Sequence, residues 1–511
     1  WISPIFCSPM KDNGYDISDY YSIAPQYGTI GDLEKLIIEA KKRKIKILLD
    51  LVVNHCSDKH EWFQKALNDP ESEWGQYFII KKGNNGKPPN NWRSIFGGSV
   101  WEQIRDTKFY YYHTFTKNQP DFNWENKGLR YEIYEMINFW LNKGISGFRI
   151  DAITFIKKEL TFTSLEPDGP DGLVALRKVG VNYPGIEVFL KEMKKETFEK
   201  YNAFSIAEMS SVGTEKYNKY IGDDGFYDSI FDVSIMNLDL AGTNLWIKHK
   251  KFNAEIVNRA LFESQKKAQE INAFLSIVLE NHDQPRSLNK WFKQEEISFY
   301  SASLLAVLNT TIRGVPIIYQ GQEIGMTNRE WSSIGEIKDV KSIGQYKLAL
   351  INGASNEEAF DAIKYRTRDN ARSPMQWTNT ENGGFTTGKA WTSVNKNFNK
   401  INVEEQLSNE QSLLQFYKRV IQLRKSENYE NIFWLGTIKQ IYPEKKNLIA
   451  YEREYNQRKV HIILNYSSTE TQITNNYNSS TFLIHNYQEL KKDENSITLR
   501  AFESIIVEYI A

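Results

Sequence analysis

The chain has 511 residues, 41% of them hydrophobic and 25% charged, which is enough for two or three domains around a large core. Lys plus Arg and Asp plus Glu both total 64, so the formal net charge is zero and nothing suggests the basic face that nucleic acid requires. The only cysteines, Cys7 and Cys56, exclude a disulfide framework and suit a reducing, cytoplasmic setting; no run approaches the roughly 20 apolar residues that span a bilayer.

The chain opens without Met, inside the strand-like Trp1-Ile-Ser-Pro-Ile-Phe6, so a leading segment is expected to precede it. A helix over 31–44 follows, with Leu33, Leu36, Ile37 and Ala40 on one face. Then comes a nearly all-apolar run, 45–53, as expected of a parallel strand buried on both sides. From 56 to 124 the periodicity is lost in a stretch rich in Asn, Gly, Trp and Tyr, too long for an ordinary loop and read as an inserted subdomain. Alternation resumes with a helix over 131–143 and strand-like runs around Phe148, Ser205, Asp232, Ser276 and Ile317, with helices over 298–311 and 412–425. Repeated strand and helix predict a parallel (β/α)8 TIM barrel, α/β in class, with seven strands in view and the first missing. Beyond about 430 the text changes to short alternating runs, predicting a C-terminal antiparallel β-sandwich. The expected organisation is barrel over 1–55 and 125–429, insert over 56–124 and sandwich over 430–511.

Three apolar runs end in an acid: Gly147-Phe-Arg-Ile-Asp151, Phe204-Ser-Ile-Ala-Glu208 and Ile277-Val-Leu-Glu-Asn-His-Asp283. Barrel strands deliver catalytic groups to the rim in this way. Retaining glycoside cleavage needs a nucleophilic carboxylate and a protonated acid roughly 5–5.5 Å apart, which the ends of neighbouring strands can supply. Arg149 leaves its strand on the same face as Asp151 and is expected to keep it ionised. Glu208, expected against apolar walls, would be the acid, and Asp283 would grip sugar hydroxyls. His55 and His282 offer neutral donors, while Asp50 is assigned to structure, bracing Arg149. Any one of these alone is most often a cap or an ion-pair partner; their joint spacing carries the reading.

Asp50-Leu-Val-Val-Asn-His55, Gly147-Phe-Arg-Ile-Asp151, Ala207-Glu208 and Glu280-Asn-His-Asp283, in that order, resemble the four sequence blocks of the α-amylase family of glycoside hydrolases. Gln119-Pro-Asp-Phe-Asn-Trp124 and Arg368-Asp-Asn-Ala-Arg-Ser-Pro-Met-Gln-Trp377 resemble its oligo-1,6-glucosidase and α-glucosidase branch. The resemblance implies Asp151 as nucleophile, Glu208 as general acid/base and Asp283 as transition-state stabiliser. It implies that Asp16 binds the terminal hydroxyls of the nonreducing glucose, that Tyr15 stacks beneath it, and that Arg368 closes the pocket as partner to Asp16. It implies an exo-acting enzyme on short oligosaccharides or disaccharides, monomeric, with no cofactor needed for the chemistry. In this branch Val after the nucleophile goes with α-1,6 preference and Ala or Thr with α-1,4 or sucrose-like substrates, so Ala152 implies α-1,4. Relatives carry a first strand and a calcium-binding loop before the position of Trp1. Without that strand, unpaired edges are expected to make the chain unstable in solution. The rivals are an oligo-1,6-glucosidase, a sucrose isomerase or transglucosidase, and a trehalose-6-phosphate hydrolase. From another class comes a non-enzymatic transporter-associated relative, which would lack the acids and carry a membrane anchor.

Overall fold

The computed structural model describes residues 1–209, 212–240 and 245–510. They form two compact units, one of Trp1–Phe231 with Ile343–Ala354, the other of Asp232–Ser342 with Ser355–Ala511.

In the first unit four parallel strands lie in the order Ser229–Ile230, Phe204–Ala207, Gly147–Asp151, Leu48–Val52. The middle strands are buried almost throughout, which is why their sequences are apolar on both faces. Register sets the chemistry: Asp50 lies opposite Arg149, and Arg149 opposite Ile206. Asp151 and Glu208 each follow two residues on, so all these side chains leave one face of the sheet. The ladder needs Gly147 at its start, because a Cβ there would sit 1.8 Å from the Phe204 carbonyl oxygen. The expected strand at residues 1–6 is reduced to a parallel bridge between Ile2 and Leu49, followed by the short Phe6–Cys7. Pro4, with no N–H to donate, interrupts that run.

Within residues 56–124, strands Ile80–Lys82, Phe109–Tyr112 and Trp101–Gln103 form an antiparallel sheet. Its aromatic core of Trp92, Trp101, Tyr110 and Tyr112 also receives Phe155 and Phe162 from the segment after Asp151. That segment docks on it through a parallel pairing of Trp92–Arg93 with Val174–Ala175. Arg93 locks the contact, bridging Asp168 at 2.9 Å and also gripping Asp171.

The second unit holds the parallel strands Ser276–Val278 and Val315–Ile317 and the helices Ala254–Glu270, Phe299–Thr311 and Leu413–Lys425. The strand-like run at Asp232 is displaced: the strand stops at Ile230, and the Asp232 carboxylate instead accepts from Ser234 and Ser264. The C-terminal region is a five-stranded antiparallel sheet, in the order Thr437–Gln440, Leu448–Tyr455, Arg458–Asn465, Ser504–Tyr509, Thr481–His485. A three-stranded sheet, Thr471–Thr474, Ser496–Leu499, Lys491–Lys492, accompanies it. Leu448, Ala450, Ile463, Ile505 and Val507 from one sheet pack on Ile473, Ile497 and Leu499 from the other, as period-two alternation requires. Among the described residues no helix is long and apolar enough to cross a membrane.

Candidate active site

Arg149 is the hub of the first unit. Its Nη1 lies 2.9 Å from Asp50 Oδ1 and 2.6 Å from Asp151 Oδ1, and its Nη2 lies 2.8 Å from Glu208 Oε2. One rigid guanidinium fork thus gathers three carboxylates. Side-chain exposure sorts them: Asp50 is 0% exposed, Asp151 12% and Glu208 25%. Only the last two can meet a substrate, and Asp50 braces the arginine, as the sequence indicates. Asp50 Oδ2 also accepts from the Tyr15 hydroxyl at 2.8 Å and from Trp1 Nε1 at 3.0 Å. The Trp1 ring supports the Arg149 guanidinium from 5.0 Å.

After Asp151 the backbone turns sharply, with Ala152 in the left-handed region at φ 47°. Its N–H then points at Glu208 Oε2, 3.3 Å away. Glu208 therefore faces a guanidinium and a backbone donor, and this corrects the expectation of apolar walls. A second correction concerns Asp151. Burial, reinforced by the charges of Glu208 and Asp50, pushes its carboxyl well above the usual range despite the opposing pull of Arg149. Burial likewise raises Asp50 against Arg149, Tyr15 and Trp1. One cation is shared by three acids, so their titrations are coupled and belong to the group rather than to one residue.

Asp16 is fully buried in a turn, where it accepts from the N–H groups of Lys11 and Asp12 at 2.9 and 3.0 Å and from Ser8 at 3.1 Å. These use three of a carboxylate's four or so acceptor positions. Burial raises its pKa against those hydrogen bonds. His55 is also buried, and its tautomer follows from its neighbours. Lys158 donates to Asn54 Oδ1 at 2.9 Å, which turns the Asn54 amide nitrogen toward His55 Nδ1 at 3.2 Å. Nδ1 must then accept, and Nε2–H donates to the Tyr15 carbonyl at 3.0 Å. Burial lowers the His55 pKa, which favours the neutral ring. Both nitrogens are committed to protein partners, so His55 positions Tyr15. The block containing Gln119, Asp121 and Trp124 ties the insert to this network: Gln119 Nε2 donates to Asp12 Oδ2 at 3.2 Å, Asp121 bridges Lys158 at 2.7 Å, and Trp124 Nε1 donates to the Val53 carbonyl.

In the second unit Asp283 follows the strand Ser276–Val278. Its Oδ1 receives Arg372 Nη2 at 2.8 Å and Arg368 Nη1 at 3.1 Å, with His282 Nε2 at 3.6 Å. Burial opposes ionisation, but Arg368, His282, Arg372 and Lys341 outweigh it and hold Asp283 well below the usual carboxylate range. Arg368 is itself anchored by Asp339, at 2.6–2.7 Å through Nη2 and Nε. The buried pair Glu280–Arg286, at 2.9 Å, braces the same segment.

Three residues in these clusters escaped sequence reasoning. Arg372 stands four residues after Arg368 in a helical turn, a spacing that places both on one side and could have been noticed. Asp339 carries no local signal. Arg177 is brought within electrostatic range of Glu208 only because its loop docks on the insert. Among the described residues no three His, Cys, Asp or Glu side chains are grouped to hold a metal ion.

Residues 1–431 match the α-amylase catalytic-domain family. The chain is 37% identical to an oligo-1,6-glucosidase of Bacillus cereus, over 99% of this chain and 91% of that protein. It is 36% identical to a trehalose-6-phosphate hydrolase of Bacillus subtilis (strain 168), over 99% and 90%. Among solved structures it resembles the trehalose-6-phosphate hydrolase of Bacillus licheniformis with a TM-score of 0.88 at 35% identity, covering 99% of this chain and 91% of that one. It resembles the trehalulose synthase of Pseudomonas mesoacidophila MX-45 with a TM-score of 0.91 at 30% identity, covering 99% and 91%. The fold is thus a (β/α)8 barrel with an insert and a C-terminal antiparallel sandwich, and the chain belongs to the α-amylase family as a glycoside hydrolase of the α-glucosidase type.

Proposed function

We propose that this chain is a retaining, exo-acting α-glucosidase that releases glucose from the nonreducing end of short α-glucosides and favours α-1,4 over α-1,6 linkages. The observation that carries this reading is the single guanidinium of Arg149 holding both Asp151 and Glu208 at the open end of one sheet face. In the reaction the Asp151 carboxylate attacks the anomeric carbon while Glu208, as the general acid, gives a proton to the departing glycosidic oxygen. Glu208, now a carboxylate, takes a proton from water, which attacks the glucosyl–Asp151 ester and regenerates the acid with net retention. Asp283, kept anionic by two arginines, favours the oxocarbenium-like transition state. Arg368 and Arg372 both bind its Oδ1, and Oδ2 is assigned to the sugar hydroxyls. Tyr15, with the buried Asp16 behind it, forms the floor for the terminal glucose, and the chain acts as a monomer with no cofactor in any step.

The linkage preference rests on Ala152, directly after the nucleophile. Relatives named oligo-1,6-glucosidase and trehalose-6-phosphate hydrolase favour the competing readings. Initial rates on maltose, isomaltose, sucrose, trehalose and trehalose 6-phosphate, measured side by side, decide among them: maltose is expected to lead, and a lead for isomaltose or trehalose 6-phosphate contradicts the assignment. Ala152→Val is expected to raise the isomaltose-to-maltose ratio of kcat/KM by about tenfold or more, the scale of one or two methyl groups in a pocket. The same change places a β-branched residue at positive φ, so a loss of about 1 kcal/mol in stability should accompany it. An unchanged ratio removes Ala152 from the specificity argument.

A further inference from the structure

The second unit contains another cleft, of about 700 Å³, whose walls include none of the acids described above. Its size falls within the roughly 300–1,000 Å³ usual for small-ligand sites. Its charge is one-sided. In a chain with as many acids as bases, no Asp or Glu lines this cleft, while Lys400, Arg419 and His485 all do. Neither Lys400 nor Arg419 forms an ion pair with a described residue. Arg419 makes only a 3.2 Å hydrogen bond to the Glu410 carbonyl and packs on Phe416. His485 donates Nδ1–H to the Tyr487 carbonyl at 2.5 Å, which leaves Nε2 for another partner.

One wall is aromatic. Tyr300 and Tyr487 stack with ring centroids 3.9 Å apart and planes 13° from parallel, and Arg500 covers the Tyr487 ring at 3.9 Å. Tyr300, 37% exposed, presents an apolar ring surface with a polar tip, and the Gln411 amide lines the same cleft. An aromatic platform with amides nearby suits the face and hydroxyls of a sugar ring. Two cations without counter-ions suit an anion that a neutral sugar does not carry.

We propose that this cleft binds a phosphorylated sugar, with the ring against Tyr300 and the phosphate at Lys400 and Arg419. The test titrates glucose 6-phosphate, glucose and inorganic phosphate into the full chain at low ionic strength. It compares wild type with the double variant K400Q/R419Q and with Tyr300→Ala. Glucose 6-phosphate should bind wild type at least about tenfold more tightly than it binds the double variant, with glucose binding and turnover of 4-nitrophenyl α-glucoside unchanged. Tyr300→Ala should reduce glucose 6-phosphate to the affinity of inorganic phosphate. The proposal is overturned by equal glucose 6-phosphate affinity in wild type and K400Q/R419Q, by no binding to either, or by a parallel loss of glucose binding in the double variant. Because these residues lie outside the acid clusters, the result is independent of the catalytic reading.

Discussion

Asp151→Asn is expected to lower kcat on maltose by about 10⁴-fold or more, since no other group can form the glucosyl ester and the two half-reactions collapse together. At about 1.4 kcal/mol per factor of ten, this removes more than about 5 kcal/mol of transition-state stabilisation. The variant should nevertheless be at least as stable as wild type at neutral pH. The Asp151 carboxyl is raised in the folded protein, so its contribution to stability is full below the unfolded pKa of about 3.9 and is lost as pH rises through the folded value. A neutral amide of the same shape avoids that loss. Glu208→Gln supplies the contrast. It should cost about 10²–10⁴-fold on maltose but far less in the first step on 4-nitrophenyl α-glucoside, whose leaving group needs no proton. Asp151→Asn should show no such relief. Equal losses on both substrates for Glu208→Gln would remove it from the acid role, and a drop in the Tm of Asp151→Asn would contradict the charge argument.

The second large effect is structural. Arg149→Met leaves Asp50, Asp151 and Glu208 crowded on one sheet face without their shared cation, at a cost of about 3–5 kcal/mol. Thermal melts should show Tm falling most at neutral pH, with the deficit shrinking as pH drops and the carboxylates take up protons. The direction follows from linkage. Removing the cation raises the folded carboxyl pKa values further, so stability is lost over a wider range as pH rises. Arg149→Lys should recover part of the Tm but little of kcat, because a single ammonium cannot hold three carboxylates in the geometry of a planar fork. A wild-type Tm for Arg149→Met at pH 7 would contradict this account of the hub.

The apolar strands ending at Asp151, Glu208 and near Asp283 are legible because a parallel strand buried on both faces leaves its mark in composition, and a charge at its end stands out. The pairing of Asp50 with Arg149 is legible for a related reason, since neighbouring parallel strands in register place them side by side. The upward shift of the Asp151 carboxyl is not. The sequence shows Arg149 two residues away but does not show that the same guanidinium also serves Asp50 and Glu208. The anchor Asp339 and the docking of the 157–183 segment through Arg93 are equally silent, because each depends on a tertiary partner with no periodic signal. The resemblance implies that Asp16 contacts the sugar, and His55 offers a donor to its hydroxyls; the structure shows how many of their polar atoms are already held by protein.

The central claim is that Asp151 forms a covalent bond to the sugar while Glu208 manages the proton. Trapping tests it most directly. Incubation with a fluorinated glucosyl fluoride that forms the ester readily but hydrolyses slowly, followed by proteolysis and mass spectrometry, should place one fluoroglucosyl group on the peptide containing Asp151 and none on Asp151→Asn. A label on any other carboxylate, or an unlabelled protein releasing glucose of inverted anomeric configuration, would contradict it.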